Sequence, residues 1–170
     1  PRVRLERAEG RHYLATTPGT YDVIQLSGVD SYSGTAAAAH VFSENYLYTG
    51  EAFDLYLSRL SDAGILNVMR LEFPMPREML RALTTAVAAL RRAGAARPAD
   101  HIVTVTQRNG IFTAMLVKRT PFTEAELDRL QAWASASPLF AISAGPRENG
   151  RAANMYQIFL TRGDPGREAA

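Results

Sequence analysis

The chain has 170 residues, 46% of them hydrophobic and 21% charged, which is enough for one globular domain with a sizeable core. Its 19 basic and 17 acidic residues give a formal net charge of +2 without any basic run longer than a pair, which argues against nucleic-acid binding. The absence of cysteine excludes disulfides and thiolate chemistry, and no apolar window of about 18 residues or signal peptide is present, so we expect a soluble chain without membrane contact.

The amino-terminal part predicts two strands around one short helix. Val3 to Leu5 predicts a minimal strand, and Arg11 to Thr16 predicts a helix that Pro18 and Gly19 terminate. Tyr21 to Leu26 is a short apolar run with a β-branched pair at its centre, which is typical of a buried strand.

The next segment predicts a helix and then a strand. Ser43 is a candidate helix cap, and four apolar residues spaced i, i+3, i+4 and i+7 predict a helical face that packs on a sheet. Asp62 to Gly64 is expected to end this helix, and Ile65 to Met69 predicts the next strand. Tyr21 to Met69 is therefore interpreted as a β-α-β unit with parallel strands and a right-handed crossover. The apolar face consists of Phe53, Tyr56, Leu57 and Leu60.

A long helix and a hairpin follow. The apolar spacing predicts a helix from Arg77 to Ala93, with Gly94 beyond its end. His101 to Arg108 and Ile111 to Arg119 are β-rich runs on either side of Asn109-Gly110, a strong hairpin signal, so we expect an antiparallel pair.

The last part of the chain predicts two more helices. Thr123 and Glu126 have the spacing of a capping box, which predicts a helix to about Ser135. Asn154 to Leu160 predicts a final helix, and residues 163–170 are expected to be disordered. The predicted fold class is α/β, as one domain over residues 1–170 with helices on both faces of the sheet.

A polar loop follows the strand Tyr21 to Leu26. It opens with Ser27 and Gly28 and carries the carboxylate of Asp30. Ligands of open α/β sheets bind beyond the carboxyl ends of strands, so Asp30 is a candidate catalytic residue. Asp, Ser and Gly are also ordinary turn residues, so closing a turn is the alternative role.

Three stretches of the sequence resemble the spermidine synthase family. YDVIQLSGVDSYSG (Tyr21 to Gly34) is similar to that family's YDVI strand and its catalytic loop with two aspartates. Phe42 to Arg70 resembles the family's next helix and strand, especially in a bacterial branch whose domain is often joined to membrane-spanning segments. AEGRHYL (Ala8 to Leu14) resembles its acidic-Gly motif. The resemblance covers roughly Val3 to Lys118 and implies a Rossmann-like, class I methyltransferase-like sheet.

The resemblance also implies roles for individual residues. Asp30 matches the family's second catalytic aspartate, which positions the attacking amine and accepts its proton, while Ser27 replaces the first aspartate. Glu9, followed by Gly10, would receive the adenine amino group of an S-adenosyl cosubstrate. The alternative role for Glu9 is that of a helix-start residue, because the helix dipole favours a negative charge at that position.

Further candidates surround the expected acceptor site. Tyr32 and Ser33, with Gly34, would belong to a loop over the acceptor, or would simply form a turn. Gln107 lies near the end of a predicted strand and could face the same pocket, although hairpin ends are commonly polar. The histidines are far apart and lack metal-ligand spacing, so no metal site is expected; they are His12, His40 and His101.

Parts of the family pattern are absent from this sequence. No G-x-G-x-x-G turn precedes Tyr21, so the resemblance implies a fragment that begins at the family's third strand.

Two functional classes follow. One is a transferase domain that transfers an aminopropyl or methyl group from an S-adenosyl donor to a polyamine or other amine. The donor is decarboxylated S-adenosylmethionine or S-adenosylmethionine, and we expect the domain to be inactive and without a bound cosubstrate in this form. The other is a noncatalytic binding or assembly domain of a membrane-attached parent. The expected location is the cytoplasm, with the parent anchored to the inner membrane.

The resemblance also predicts an assembly state. With its neighbour in the family's sheet absent, the strand Tyr21 to Leu26 becomes an edge strand with unpaired backbone groups. We therefore expect a homodimer, joined along that edge or by exchange of Val3 to Leu5.

Overall fold

A computed structural model of the chain describes residues 3–27, 45–71, 77–108, 110, 112–147 and 154–162. The strands are β1 (Tyr21–Ser27), β2 (Leu60–Leu71), β3 (Ile102–Gln107), β4 (Phe112–Lys118) and β5 (Phe140–Ala144). The α-helices are α1 (Gly10–Thr16), α2 (Gly50–Ser58), α3 (Arg77–Arg92), α4 (Glu124–Ala136) and α5 (Met155–Arg162), and short 3₁₀ helices lie at Asn45–Tyr48 and Pro98–His101.

The strands form a five-stranded mixed sheet in the order β1-β2-β4-β3-β5. β1 and β2 run parallel, as the β-α-β interpretation predicted, and every other neighbouring pair is antiparallel. The predicted hairpin of β3 and β4 is confirmed, and Gly110 takes a left-handed conformation with φ of 75° in its turn. The molecule is therefore an α/β protein with a Rossmann-like sheet.

Helices cover both faces of the sheet. The larger core lies on one face, where Leu66 and Val68 of β2 pack with α1, α2, α3 and α5. A smaller core lies on the other face, where Val103 and Val105 of β3 pack with Leu127 of α4. Successive residues of a strand point to opposite faces, which is why one strand, β3, contributes to both cores.

The prediction of a strand at Val3 to Leu5 is wrong. These residues have no regular structure, and the side chains of Val3 and Leu5 are 72% and 91% exposed. A strand is stabilised by its ladder of hydrogen bonds, and none of the described strands pairs with this segment.

The boundaries around α2 also differ from the prediction. The helix begins after Thr49, whose hydroxyl accepts a hydrogen bond from the Ala52 amide at 3.3 Å; the predicted cap, Ser43, lies outside the described residues. The helix ends at Ser58, and Asp62 to Gly64 belong to β2 instead of ending the helix.

An irregularity in β2 explains the second difference. Tyr21 of β1 pairs with Leu60, and Val23 pairs with Ile65, so β2 accommodates more residues than β1 over the same stretch. Leu60 is fully buried as expected, but as the first residue of a strand. Gly64 permits the irregularity because a Cβ there would lie 2.7 Å from the Tyr21 carbonyl oxygen.

The other predicted elements are confirmed with small shifts of their ends. α3 ends one residue earlier than predicted, and α5 covers most of the predicted last helix. Thr123 and Glu126 form the predicted capping box at the start of α4. The residues after Pro138 form the edge strand β5, and residues 163–170 lie outside the described range.

Within the part of the chain that the structure describes, no helix is both long and apolar enough to cross a bilayer.

Candidate functional site

The strands β1, β2 and β3 end at the same edge of the sheet. β1 and β2 are parallel, and β3 has the same direction as β2 because both are antiparallel to β4, which lies between them. We call this edge the carboxyl edge; it contains Ser27, Arg70 and Gln107 near the strand ends and Thr113 near the start of β4. Ligands of open α/β sheets bind at such an edge.

Ser27, expected to open the polar loop, is instead the last residue of β1. It pairs with Met69 of β2, and its hydroxyl accepts a hydrogen bond from the Gln25 side-chain amide at 3.0 Å. Because Met69 and Arg70 point to opposite faces of the sheet, Ser27 lies on the face opposite to Arg70. The Ser27 hydroxyl is neutral and cannot supply the charge that a carboxylate would place at this strand end.

Arg70 is a buried cation near the end of β2, with a side chain only 8% exposed. Its guanidinium carbon lies 4.2 Å from the ring centroid of Tyr48, and its Nη2 lies 3.4 Å from a carboxylate oxygen of Glu78. A buried charge is costly unless it has partners, and a cation–π contact and an anion are both suitable. Arg70 therefore connects β2 with α3 and with the 3₁₀ helix Asn45–Tyr48.

Hydroxyl groups line the sheet next to Arg70. Thr113, which pairs with Arg70, shares a hydrogen bond of 2.9 Å with Thr106. The hydroxyl of Ser143 lies 2.8 Å from those of both Thr104 and Thr106, so the chain of hydrogen bonds extends from β4 through β3 to β5. Such a connected network fixes the relative positions of its members.

Glu9 caps α1. One carboxylate oxygen accepts a hydrogen bond from the amide of Arg11 at 2.9 Å and the other from the amide of His12 at 2.7 Å. A Cβ added at Gly10 would meet no atom within 4 Å, so the space beside Gly10 is open. The helix-start role of Glu9 is therefore observed, and its role toward adenine stays a prediction.

The 3₁₀ helix Asn45–Tyr48 lies between α1 and the end of β2. The Arg11 side chain donates a hydrogen bond to the Tyr46 carbonyl oxygen at 3.2 Å, and the Arg70 guanidinium lies over the ring of Tyr48. The Tyr56 hydroxyl donates to the Leu47 carbonyl oxygen at 3.0 Å. Burial raises the pKa of Tyr56 to about 12, and the negative charge of Glu9 adds to the shift, so Tyr56 stays protonated and remains a donor.

Gln107 lies at the carboxyl edge but at a distance from Ser27. Its side-chain oxygen is buried and has no hydrogen-bond partner among the described groups. Two strands, β2 and β4, separate β3 from β1, and at about 4.8 Å per strand the two residues are roughly 14 Å apart. Ser27 and Gln107 therefore cannot bind the same small group directly.

The remaining candidates lie outside the described residues. Asp30, Tyr32 and Ser33 follow Ser27 and precede the 3₁₀ helix, and their placement is not described. Among the residues that are described, no cluster of three or more His, Asp or Glu side chains could hold a metal ion.

An open cavity of about 480 Å³ lies at the opposite edge of the sheet, beyond the ends of α2, α3 and β4. Its polar lining includes Asp54, Arg92 and Arg119, and Arg92 is already paired with Asp54 at 2.9 Å. None of the predicted site residues lines this cavity, so it is separate from the carboxyl edge.

Sequence reasoning missed Arg70, Tyr48 and the hydroxyl network. The signal for Arg70 was the alternation of β2: Leu66, Val68 and Arg70 are spaced by two, so a core-facing strand carries the arginine onto its buried face. The contact with Tyr48 is set by tertiary packing and leaves no comparable pattern in the sequence.

No known family model matches the chain. A stretch of 73 residues, 43% of this chain, is 37% identical to polyamine aminopropyltransferase 2 from Pseudomonas aeruginosa. The match spans 19% of that protein, so it covers only a small part of the relative. This partial similarity supports a spermidine-synthase-like domain.

Proposed function

We propose that the chain is a spermidine-synthase-like domain of the nucleoside-dependent transferase type, related to enzymes that transfer an aminopropyl or methyl group, and that it is inactive in this form. The partial identity to an aminopropyltransferase carries the proposal. The parallel pair β1 and β2 agrees with it, because β1 contains the YDVI sequence and ends at Ser27 on the carboxyl edge.

The proposed role of this edge is to hold an amine. In such a transferase, an S-adenosyl donor would supply the alkyl group. Asp30, three residues beyond the end of β1, would bind the acceptor as its ammonium ion and take up the proton that the amine releases. Tyr32 and Ser33 would border the same acceptor.

Two observations support inactivity. Ser27 stands where the family carries its first catalytic aspartate, so one negative charge that would hold the amine is missing. Glu9, the carboxylate assigned to adenine, already accepts amide hydrogen bonds through both of its oxygens. The described residues thus do not fit an S-adenosyl donor by themselves, and we assign no reaction step to it.

A noncatalytic binding or assembly domain is the second candidate. It is favoured by the neutral Ser27 and by the position of β1 at the edge of the described sheet, where a further strand can pair. In this case the chain would be a fold-preserving module, the soluble part of a membrane-attached parent.

A transfer assay with a calorimetric titration tests the proposal. The chain is mixed with decarboxylated S-adenosylmethionine or S-adenosylmethionine and with a diamine or triamine acceptor. We expect no transfer and nucleoside binding weaker than micromolar for the natural chain. Micromolar binding or measurable transfer would overturn the inactivity, and loss of that transfer in Asp30→Asn would identify the carboxylate.

A further inference from the structure

The cavity at the edge of the sheet opposite to the carboxyl edge has the size of a small-molecule site. Its volume of about 480 Å³ lies within the range of about 300–1,000 Å³ that is typical of ligand pockets. The ends of α2 and α3 and the chain just after β4 contribute its described lining. We call it the arginine cavity; it is lined by Asp54, Leu57, Ser58, Arg92, Ala93 and Arg119.

Arg92 is held in position on one wall of the arginine cavity. Its Nε lies 3.1 Å from both carboxylate oxygens of Asp54, and its Nη2 lies 2.9 Å from one of them. The Nη2 group also donates to the Gly50 carbonyl oxygen at 3.3 Å, and a Cβ at position 50 would lie 3.2 Å from it, so glycine allows this close approach. The third nitrogen, Nη1, takes part in none of these bonds and keeps its N–H donors.

Arg119 supplies a second cation, which has no carboxylate partner among the described residues. Its Nη1 donates a hydrogen bond to the Leu60 carbonyl oxygen at 3.1 Å, and this bond ties the chain after β4 to the start of β2. The N–H donors on Nε and Nη2 are not used in that bond. The described lining therefore holds two arginines and one aspartate, Asp54, which leaves an excess of positive charge.

The helix dipole does not account for both arginines. Arg92 is the last residue of α3, where a cation is favoured by the dipole, but Arg119 follows a strand. The end of α3 is also capped by the backbone, since the Gly94 amide donates a hydrogen bond to the Arg91 carbonyl oxygen at 3.0 Å. The negative end of the dipole arises from unsatisfied carbonyl groups, so this cap leaves less negative charge for the arginines to offset.

We propose that the arginine cavity binds the phosphate group of a small phosphate monoester. Arginine presents a planar fork of donors that matches the oxygens of phosphate, and the several acceptor oxygens of a phosphate group can engage both guanidinium groups. A carboxylate has fewer oxygens and a smaller charge, so it suits a pair of arginines less well. Leu57, which is 3% exposed, and Ala93 add an apolar part that would contact the organic portion of the ligand.

Asp54 limits how tightly the cavity can hold a phosphate group. Its carboxylate is paired with Arg92, so Arg119 supplies the charge that the described lining leaves uncompensated. The side chain of Arg92 is also 49% exposed, and charges in contact with water interact weakly. We therefore expect a dissociation constant on the order of 1 mM at low salt. Binding here is independent of the proposed function, because none of the residues assigned to the amine or to adenine lines the cavity.

Titration of the isotope-labelled 170-residue chain with glycerol phosphate, followed by two-dimensional NMR, tests the site. We expect saturable shifts of the amide signals of residues 54–58, 92–93 and 119, which carry the lining side chains. Succinate is the comparison ligand, and it should bind at least about threefold more weakly because its carboxylates carry less charge per group. Shifts that do not saturate, or that are absent from these residues, would overturn the proposal, as would tighter binding of succinate.

Three variants in the same titration separate this site from general attraction of anions. Arg119→Gln should weaken glycerol phosphate binding at least about tenfold, since it removes the uncompensated cation. Arg97→Gln is the matched control with the same loss of charge: Arg97 is 58% exposed and does not line the cavity, so the affinity should change by less than about twofold. Asp54→Asn frees the charge of Arg92 and should tighten binding at least about threefold, a gain that misfolding cannot produce. Equal weakening in Arg119→Gln and Arg97→Gln, or no gain in Asp54→Asn, would contradict the proposal.

Discussion

The guanidinium group of Arg70 lies over the ring of Tyr48, with 4.2 Å between its central carbon and the ring centroid. Tyr48 is the last residue of the 3₁₀ helix that follows the segment containing Asp30, and Arg70 is near the end of the strand that pairs with β1. This contact therefore attaches the 3₁₀ helix Asn45–Tyr48 to the carboxyl edge. In addition, it explains how a nearly fully buried arginine is accommodated among core strands.

Replacing Arg70 should destabilise the fold. We expect Arg70→Met to lower the free energy of unfolding by about 2 kcal/mol, because it removes a buried cation–π contact and leaves Glu78 without this partner. Urea unfolding followed by circular dichroism measures the change. Arg81→Met is the control, since Arg81 is 79% exposed and lies 3.9 Å from the same Glu78, and it should cost less than about 0.5 kcal/mol. Equal losses in the two variants would contradict the assignment.

The ion pair between Lys118 and Glu126 should control stability in acid. The side chain of Lys118 is 3% exposed, and its Nζ lies 2.5 Å from a Glu126 carboxylate oxygen. Partial burial acts to raise the pKa of Glu126, but hydrogen bonds from Lys118 and Thr123 outweigh it and lower the pKa below its usual 4.5. A carboxyl group whose pKa is lowered by folding stabilises the protein above pH 4.5, and this stabilisation is lost as the pH falls through the lowered pKa.

Glu126→Gln should therefore reduce stability near neutral pH by about 3 kcal/mol, because it leaves a buried ammonium group unpaired while glutamine retains the capping-box geometry. The variant should also lose less stability than the natural chain between neutral pH and pH 3. Glu124→Gln is the control, since the Glu124 side chain is 82% exposed and contributes only a surface pair with Arg147. Thermal unfolding as a function of pH checks both expectations, and parallel curves for the natural chain and Glu126→Gln would refute them.

Gly64 should not tolerate a side chain. A Cβ at this position would lie 2.7 Å from the Tyr21 carbonyl oxygen and 3.0 Å from the Ser61 amide nitrogen, and both neighbours are backbone atoms that cannot rotate away. We expect Gly64→Ala to cost about 2 kcal/mol in the free energy of unfolding, as overpacking does elsewhere. Gly10→Ala, where the added Cβ meets no atom within 4 Å, should change stability by less than about 0.5 kcal/mol. Urea unfolding of the two variants provides the comparison, and a neutral Gly64→Ala would show that β2 can adjust its irregular segment.

Local patterns in the sequence were sufficient for most of the fold. Asn109-Gly110 predicted the hairpin, and the Thr123 and Glu126 pair predicted the start of α4, because both signals act over a few residues. The start of β2 could not be predicted this way. Asp62 to Gly64 have the composition of a turn, but they lie in β2 between Leu60 and Ile65, which pair with Tyr21 and Val23 of β1, so their place in a strand is a tertiary effect.

The candidate site was predicted in part. The break in the apolar run located the end of β1 to within one residue, since the strand ends at Ser27 and the prediction ended it at Leu26. Glu9 at a helix start was one of its two expected roles. Arg70 was missed, although its period-two spacing from Leu66 and Val68 marked it as buried. Asp30, Tyr32 and Ser33 lie outside the described residues, so their roles depend on the resemblance and on experiment.

The most direct test of the proposed amine site is a calorimetric titration of Ser27→Asp and Ser27→Asn with a diamine. A second carboxylate at the end of β1 should supply a charge-assisted hydrogen bond to the ammonium group, whereas the neutral asparagine should not. We predict that Ser27→Asp binds the diamine at least about tenfold more tightly than Ser27→Asn, and that adding Asp30→Asn abolishes the gain. Equal affinities for the two variants, or a gain that survives Asp30→Asn, would contradict the assignment of this strand end as an amine-binding site.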